Sequence, residues 1–516
     1  MESGRQRQDS ADGGQTRLPR RLDVLTRGVS IAGALLALSV LARSVRLILS
    51  GARLDNPLNI AMYFGLPICL AAGMLGALWL RPFPRARLLM LCASAGVSAY
   101  ALELILQVTA PTTQPRMAMS TVSLAADKAA VAARFATRFG VSVDTRSWDE
   151  VLRDLRMSDA NAIPILTPAN NLFERDADGV VRSSTRIDGV EVMPLAGPSN
   201  RTTLLCNENG PWVHYRADRH GFNNPDAVWH SGDLEIALLG DSFAHGYCVP
   251  PSHSFAGLIR QRQPKTLNLG IAGDGPLLML AALTEYLQAL RPRIVLWCYF
   301  EGNDLEDLQV ERRSAVLSNY LLEGFRQSGL RDQDALDRAI LAGMPPPQAA
   351  SADMARTYFW NTATYTAVTF AKLTSVRQRL NLIRPITPRE IDAAADFETA
   401  NLEAFRAVLE TAQRRTASWG GRLYFVYLPN WESYTTRYRS RGNTKRPALL
   451  ALANELDIPV IDVDPVFRSS GDPLDLFPFR QLGHYTEAGH RLVAEAIMRG
   501  LASPQQTRGT AARTVE

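Results

Sequence analysis

The stretch Glu235-Ile236-Ala237-Leu238-Leu239-Gly240-Asp241-Ser242-Phe243 decides how this chain is read. Glu235 to Leu239 reads as a short buried strand, and Gly240 permits a tight exit from it. Ser242 then falls at the start of the next helix, where the helix N-terminus favours negative charge.

The same rhythm returns downstream. Thr266 to Leu269, Ile294 to Phe300, Leu423 to Leu428 and Pro459 to Val463 are short apolar runs with helical patterns between them. Such alternation predicts a parallel sheet covered by helices on both faces. Ala488, Leu492, Val493, Ala496 and Ile497 recur at helical spacing, so Thr486 to Leu501 is expected as a closing helix on the sheet. A polar, Ala-rich stretch from Gln309 to Ala350 and a helical pattern from Thr357 to Leu380 interrupt the rhythm, and are expected as an insertion around 309–400.

In doubly wound sheets functional groups collect after the carboxyl ends of the strands. Here the second strand is followed by Gly270-Ile271-Ala272-Gly273-Asp274-Gly275 and the third by Glu301-Gly302-Asn303-Asp304, while His484 stands just before the closing helix. Serine, closely approaching backbone N–H groups, a neutral amide and an imidazole are what acyl transfer needs: a nucleophile, donors for the oxyanion, and a base that takes and returns a proton.

In order and spacing, Gly240-Asp241-Ser242, Gly273, Gly302-Asn303-Asp304 and His484 resemble the four blocks of the SGNH/GDSL hydrolase superfamily, over residues 231–505. The resemblance implies a three-layer α/β/α (flavodoxin-like) domain and a hydrolase acting on ester bonds through an acyl-serine intermediate, as an acylesterase or an O-acyltransferase. It makes Ser242 the nucleophile and His484 the base. The oxyanion hole would be the Ser242 and Gly273 backbone N–H groups with Asn303. One position departs from the pattern: Gln481 stands where the family usually has an aspartate three residues before the histidine. Asp475 or Asp472 reaching His484 from the preceding loop, a backbone carbonyl orienting it, or a catalytically weak site are the alternatives, of which Asp475 is the preferred acid. The missing aspartate also motivates a second function, a catalytically inactive, membrane-tethered protein for glycan binding or assembly.

Other residues carry plainer readings. Ser242 could simply cap its helix. His490, after Gly489, lies inside the closing helix and is expected to pack; His245, one turn beyond Ser242, is expected to be structural or to support the site from behind. Glu301, Asp304, Glu306 and Asp307 read as acids at a helix N-terminus, and with no histidine among them no metal is expected. The loop Asp218-Arg219-His220-Gly221-Phe222-Asn223-Asn224-Pro225 either borders the cleft or packs as a surface loop. No glycine pattern fits a nucleotide loop, so no cofactor is expected.

The first 110 residues differ in kind. Val29 to Ala42, Leu58 to Leu80 and Leu88 to Thr109 are apolar runs. A bilayer core of roughly 30 Å needs about 20 such residues, so these are expected as three transmembrane helices. The first is the shortest, with an interfacial helix or uncleaved signal as its alternative. Glu103 and Gln107 would face the interface or a partner helix rather than lipid. Arg5, Arg7, Arg17, Arg20, Arg21 and Arg27 precede the first run, and Arg81, Arg85 and Arg87 lie between the second and third. Both groups are expected on the cytoplasmic side of the inner (plasma) membrane, which puts everything after Thr109 outside the cytoplasm.

The expected order is a cytoplasmic tail (1–22), the membrane helices (23–110), a linker and small extracytoplasmic subdomain (111–230) with helices at Ala125 to Phe139 and Ser147 to Arg156, the hydrolase-like domain (231–505) and a disordered tail (506–516). Residues 1–110 hold 12 of the 56 Lys+Arg and 6 of the 51 Asp+Glu, leaving 44 against 45 in the rest. The basic isoelectric point therefore belongs to the membrane part, and no nucleic-acid partner is expected. The expected partners are the membrane and an ester substrate such as an acylated glycan or lipid. Cys69 and Cys92 lie in apolar runs, Cys206 and Cys248 are open to pairing, and Cys298 in its strand reads as an inert buried thiol.

Overall fold

A computed structural model describes residues 17–49, 57–109, 137, 140–176, 178–343, 367–368, 370–380, 388–435 and 445–502. All but one residue of the expected helix at Ala125 to Phe139, the start of the Thr357 to Leu380 stretch and the tail after Ser503 lie outside the described residues. The chain forms two compact units, residues 1–114 with 356–398 and residues 115–355 with 399–516. The stretch expected as one insertion is thus shared between them.

In the first unit the segments Arg20–Arg46, Pro57–Ala77 and Pro82–Leu106 are helices long and apolar enough to cross a membrane. The first helix runs from Arg17 to Leu49, well beyond the apolar run that announces it. Leu36, Leu91 and Val97 point outward and are about two-thirds exposed, a surface suited to lipid. Arg85 is fully buried. Its guanidinium donates to the carbonyls of Ala77 (2.9 Å) and Leu78 (3.1 Å), which end the second helix, and to Asp23 Oδ1 (2.8 Å). It therefore caps a helix end whose carbonyls would otherwise lack partners. Glu103 is fully buried, and its carboxylate accepts the N–H groups of Ser375 (2.9 Å) and Val376 (2.8 Å) at the start of the helix Thr374–Arg379. This partner helix belongs to the later stretch 356–398 of the same unit.

The second unit opens with the helix Trp148–Ser158, started by a capping box between Ser147 and Glu150. A small sheet follows: β1 (Ile163–Pro164) pairs in parallel with β2 (Thr202–Cys206), which pairs antiparallel with β3 (Val213–Arg216). The β2–β3 register shifts between Leu204 and Cys206. The main sheet then forms from β4 (Ile236–Gly240), β5 (Thr266–Asn268), β6 (Ile294–Phe300), β7 (Arg422–Leu428) and β8 (Val460–Asp462). Their order is β8-β7-β6-β4-β5 and every pairing is parallel. Each strand lies where the apolar runs predict it, to within a residue at either end.

Both faces of this sheet are buried, as alternation along the strands requires. Val295, Trp297 and Tyr299 of β6 join Leu280, Phe405 and Leu409 on one face. Leu296, Cys298 and Phe300 join Phe255, Ile259, Val493 and Ile497 on the other. The closing helix is Glu487–Ala502, with Val493, Ala496 and Ile497 buried on the sheet. Cys298 is enclosed among these groups, and burial pushes its thiol pKa up, which keeps it protonated.

Candidate active site

β4 delivers its chain directly into the short helix Ser242–His245. Asp241 caps that helix, its carboxylate accepting the N–H of Phe243 at 2.9 Å. Ser242 is thereby lifted to the sheet's carboxyl edge, where its Oγ lies 2.8 Å from Nε2 of His484. His484 enters from the segment before the closing helix, its ring between those of Phe243 (centroids 4.9 Å apart) and Tyr247 (4.6 Å).

The carboxylate on the far side of the ring is Glu208. Its Oε2 lies 2.8 Å from His484 Nδ1 and also accepts the His484 backbone N–H at 2.9 Å. Two donors of one residue on a single oxygen fix both the ring and its backbone. Asp475, the preferred acid from the sequence, does not reach His484. It is ion-paired with Arg480, whose other nitrogen holds Asp472 at 2.6 Å. The guanidinium collects both acids at the surface, and its hydrogen bond lowers the pKa of Asp472. Glu208 lies in the turn between β2 and β3, outside all four motif blocks. The signal that could have found it is Cys206, two residues earlier, which is disulfide-bonded to Cys248, six residues beyond Ser242.

The loop after β5 is stitched to the nucleophile segment. Ile271 N–H donates to Gly240 O at 3.2 Å, and Ala272 N–H to Nδ1 of His245 at 3.2 Å. His245 is fully buried, and burial first, then the neighbouring His484, lower its pKa to about 3. A neutral ring nitrogen is therefore the acceptor. Gly273 has φ +90°, and a Cβ on it would meet Asn170 Nδ2 at 2.8 Å, so both backbone and space require glycine. Glu311 ties the loop down from the other side, accepting the N–H groups of Gly275 and Leu277 at 2.8 Å each. Burial raises the pKa of Glu311 to about 8. Asn303 follows β6, the other neighbour of β4, and its Nδ2 donates to Asp307. An amide nitrogen carries two hydrogens, so this bond orients the group and leaves one N–H to give.

The remaining candidates are accounted for elsewhere. Nδ1 of the buried His490 accepts the Phe255 N–H at 3.2 Å, which occupies it in packing. Glu301 accepts from Asn430 N (3.1 Å) and Ser433 Oγ (2.8 Å), Asp304 from Phe300 N (3.0 Å), and Glu306 pairs with Lys445 (2.7 Å). Among the described residues no group of His, Cys, Asp and Glu could hold a metal ion. Asp218 is buried and accepts from Trp229 Nε1 (2.7 Å), Asn224 Nδ2 (2.9 Å) and the N–H groups of His220 (2.9 Å) and Phe222 (3.0 Å), while Asn224 Oδ1 accepts the Asn268 N–H at 2.9 Å. Of the two readings of that loop, it takes the packed one, bracing the β5 edge.

No curated protein matches the chain. Similar solved structures include a lipase/acylhydrolase from Enterococcus faecalis, at 17% identity over 53% of this chain and 98% of that one, with a TM-score of 0.27. Another is an acetylxylan esterase from Geobacillus stearothermophilus, at 12% identity over 52% and 95%, with a TM-score of 0.29. Residues 238–492 match the GDSL-like Lipase/Acylhydrolase family, which encloses Ser242, Gly273, Asn303 and His484 and leaves Glu208 outside. Over these residues the chain matches the GDSL-like Lipase/Acylhydrolase family, and this region is a domain of that type.

Proposed function

We propose that Ser242, His484 and Glu208 act together as the relay of a membrane-anchored ester hydrolase. The observation that carries this reading is the pair of 2.8 Å contacts on opposite nitrogens of one imidazole, Ser242 Oγ on Nε2 and Glu208 Oε2 on Nδ1. Ser242 Oγ attacks the ester carbonyl and passes its proton to Nε2 of His484. The Ser242 and Gly273 N–H groups and the free N–H of Asn303 receive the oxyanion. His484 returns the proton to the leaving alcohol, then activates a water that cleaves the acyl-serine. Glu208 keeps the proton of neutral His484 on Nδ1, so that Nε2 faces the serine, and supports the imidazolium that forms. An acceptor hydroxyl in place of water would make the same site an O-acyltransferase.

The three apolar helices support anchoring in the inner membrane, and the arginines before the first of them support a cytoplasmic N-terminus. The site would then face outward, toward O-acylated glycan or lipid of the cell envelope. Glu208 removes the motive for an inactive binding protein, since the carboxylate missing at Gln481 is supplied from upstream.

The test uses the full chain in detergent, treated with a fluorophosphonate probe and assayed with p-nitrophenyl acetate. Labelling and turnover that vanish in Ser242→Ala and His484→Ala are expected. A well-folded wild-type protein that neither labels nor turns over would sink the proposal.

A further inference from the structure

The turn that carries Glu208 has little core of its own. β2 and β3 bury Leu205, Cys206, Val213 and Tyr215 with Ala217 and Cys248, a cluster of six residues. Glu208 itself is partly exposed and must nevertheless hold one oxygen on His484. The turn closes through Gly210 N–H on Asn207 O at 3.0 Å. On either side of Glu208 it is then fastened to one residue. Cys206 is disulfide-bonded to Cys248, and Asn209 Nδ2 donates to Cys248 O at 3.0 Å.

Cys248 belongs to the nucleophile segment. The helix Ser242–His245 ends at Gly246 in the left-handed region, and Tyr247 N–H returns to Ser242 O at 3.0 Å. Tyr247 lays its ring on His484, and Cys248 follows with φ +61°. Cys248 thus lies one residue from a contact with the base and within the turn that issues from the nucleophile. The register shift between Leu204 and Cys206 lies at the other anchor, and such irregularities re-aim the residues that follow them.

We propose that the Cys206–Cys248 disulfide, with Asn209 beside it, is a positioning device for the reaction, holding Glu208 on Nδ1 of His484 and so setting the reactivity of Ser242. The proposal rests on the serine-hydrolase reading above. It assigns the crosslink a task beyond cohesion, and it makes reactivity depend on a compartment in which thiols are oxidised.

The experiment is a double-mutant cycle on the full chain in detergent, reading the rate of Ser242 labelling by a fluorophosphonate probe. The paired substitutions Cys206→Ala and Cys248→Ala are made in the wild-type and in the Glu208→Gln backgrounds. A device that works through Glu208 loses its effect when Glu208 cannot work. The expected result is a fall of about tenfold or more in the wild-type background and less than about twofold in Glu208→Gln. Equal losses in both backgrounds, or none in either, overturn the proposal, because the crosslink would then serve the fold alone or nothing. Wild-type protein that does not label overturns the hydrolase reading and the proposal with it, a different failure from labelling that ignores the cysteines. Asn209→Ala gives a second cycle that leaves the disulfide in place, against poor folding of the cysteine variant. A smaller loss, again confined to the wild-type background, is expected, and a loss of equal size in both backgrounds counts against the proposal.

Discussion

His484 is held from two sides that owe their order to different physics. On the Ser242 side, β4 is paired along both edges in the main sheet, and Ala237, Leu238 and Leu239 are fully buried. Asp241, His245, Asn268 and Glu311 are buried too, each committed to backbone groups of the site loops. On the Glu208 side stands a three-stranded sheet whose first strand has two residues; one disulfide and one amide join its turn to the nucleophile segment, and Asn207 Nδ2 on Asp144 O (3.1 Å) and Asp144 N–H on Gly210 O (2.9 Å) hold it to the chain before it. Burial across a five-stranded sheet fixes the first side; a small buried cluster, a few hydrogen bonds and one covalent tether fix the second. Burial on the scale of the main sheet resists single changes that are not themselves cavities or clashes, whereas a tethered turn depends on a few bonds. In the proposed relay the carboxylate comes from the less deeply buried side, and Gln481 stands where that relay needs no acid.

The sharpest way to break this comparison is to exchange the acids. Glu208→Gln is expected to lower kcat by up to about 10⁴-fold, the loss seen when a serine protease has the same carboxylate replaced by its amide, with KM nearly unchanged. Asp475→Asn should leave kcat where it was, because its carboxylate serves Arg480. Steady-state hydrolysis of p-nitrophenyl acetate reads both, and a reversed ranking would return the role to Asp475.

On the buried side, Gly273→Ala adds a Cβ against Asn170 at a backbone angle that disfavours it. Displacing one oxyanion donor is expected to cost about 10²–10³ in kcat. A variant as active as wild type would show that the Gly273 N–H is not among the donors.

The smallest effect is on stability and concerns Glu311. Its carboxyl is raised from 4.5 to about 8 in the folded protein, so between those values the folded state keeps a proton that the unfolded state has released. Stability from this group is thus present in acid, declines as pH rises through that window, and levels off above about 8. Glu311→Gln cannot release a proton, so its Tm should fall less than that of wild type between pH 5 and pH 8, by about a few degrees at most. Thermal unfolding at several pH values measures it, and parallel curves would count against a proton held there.

The strands and the motif blocks were legible because each depends on a few consecutive residues. An apolar run, a glycine exit and a polar residue place Ser242, Gly273 and Asn303 just after adjacent strands without knowledge of anything distant. Glu208 has no such local mark, since Asn207, Asn209 and Gly210 describe a turn and nothing more. Its contact with His484 spans 276 residues, and Asp475 was attractive only because it is near in sequence. Arg480, lying between Asp475 and His484 in the chain, was the overlooked competitor. The same blindness to distance affected the unit of apolar helices. Glu103 was legible as a carboxylate turned to the interface or to a partner helix, but the N–H groups it accepts come from Ser375 and Val376, 272 and 273 residues away. Arg85 counted toward topology as a charge, although the structure uses it to close a helix end.

The order of the three groups along the chain also has a temporal meaning. During synthesis Glu208 and Ser242 emerge early, together with both cysteines that join their segments, while His484 follows Ser242 by 242 residues. A serine without its base is an ordinary alcohol. In the proposed relay, the growing chain can therefore fold and crosslink the segments of Glu208 and Ser242 while Ser242 has no base, and Ser242 gains its base only when the segment before the closing helix brings in His484.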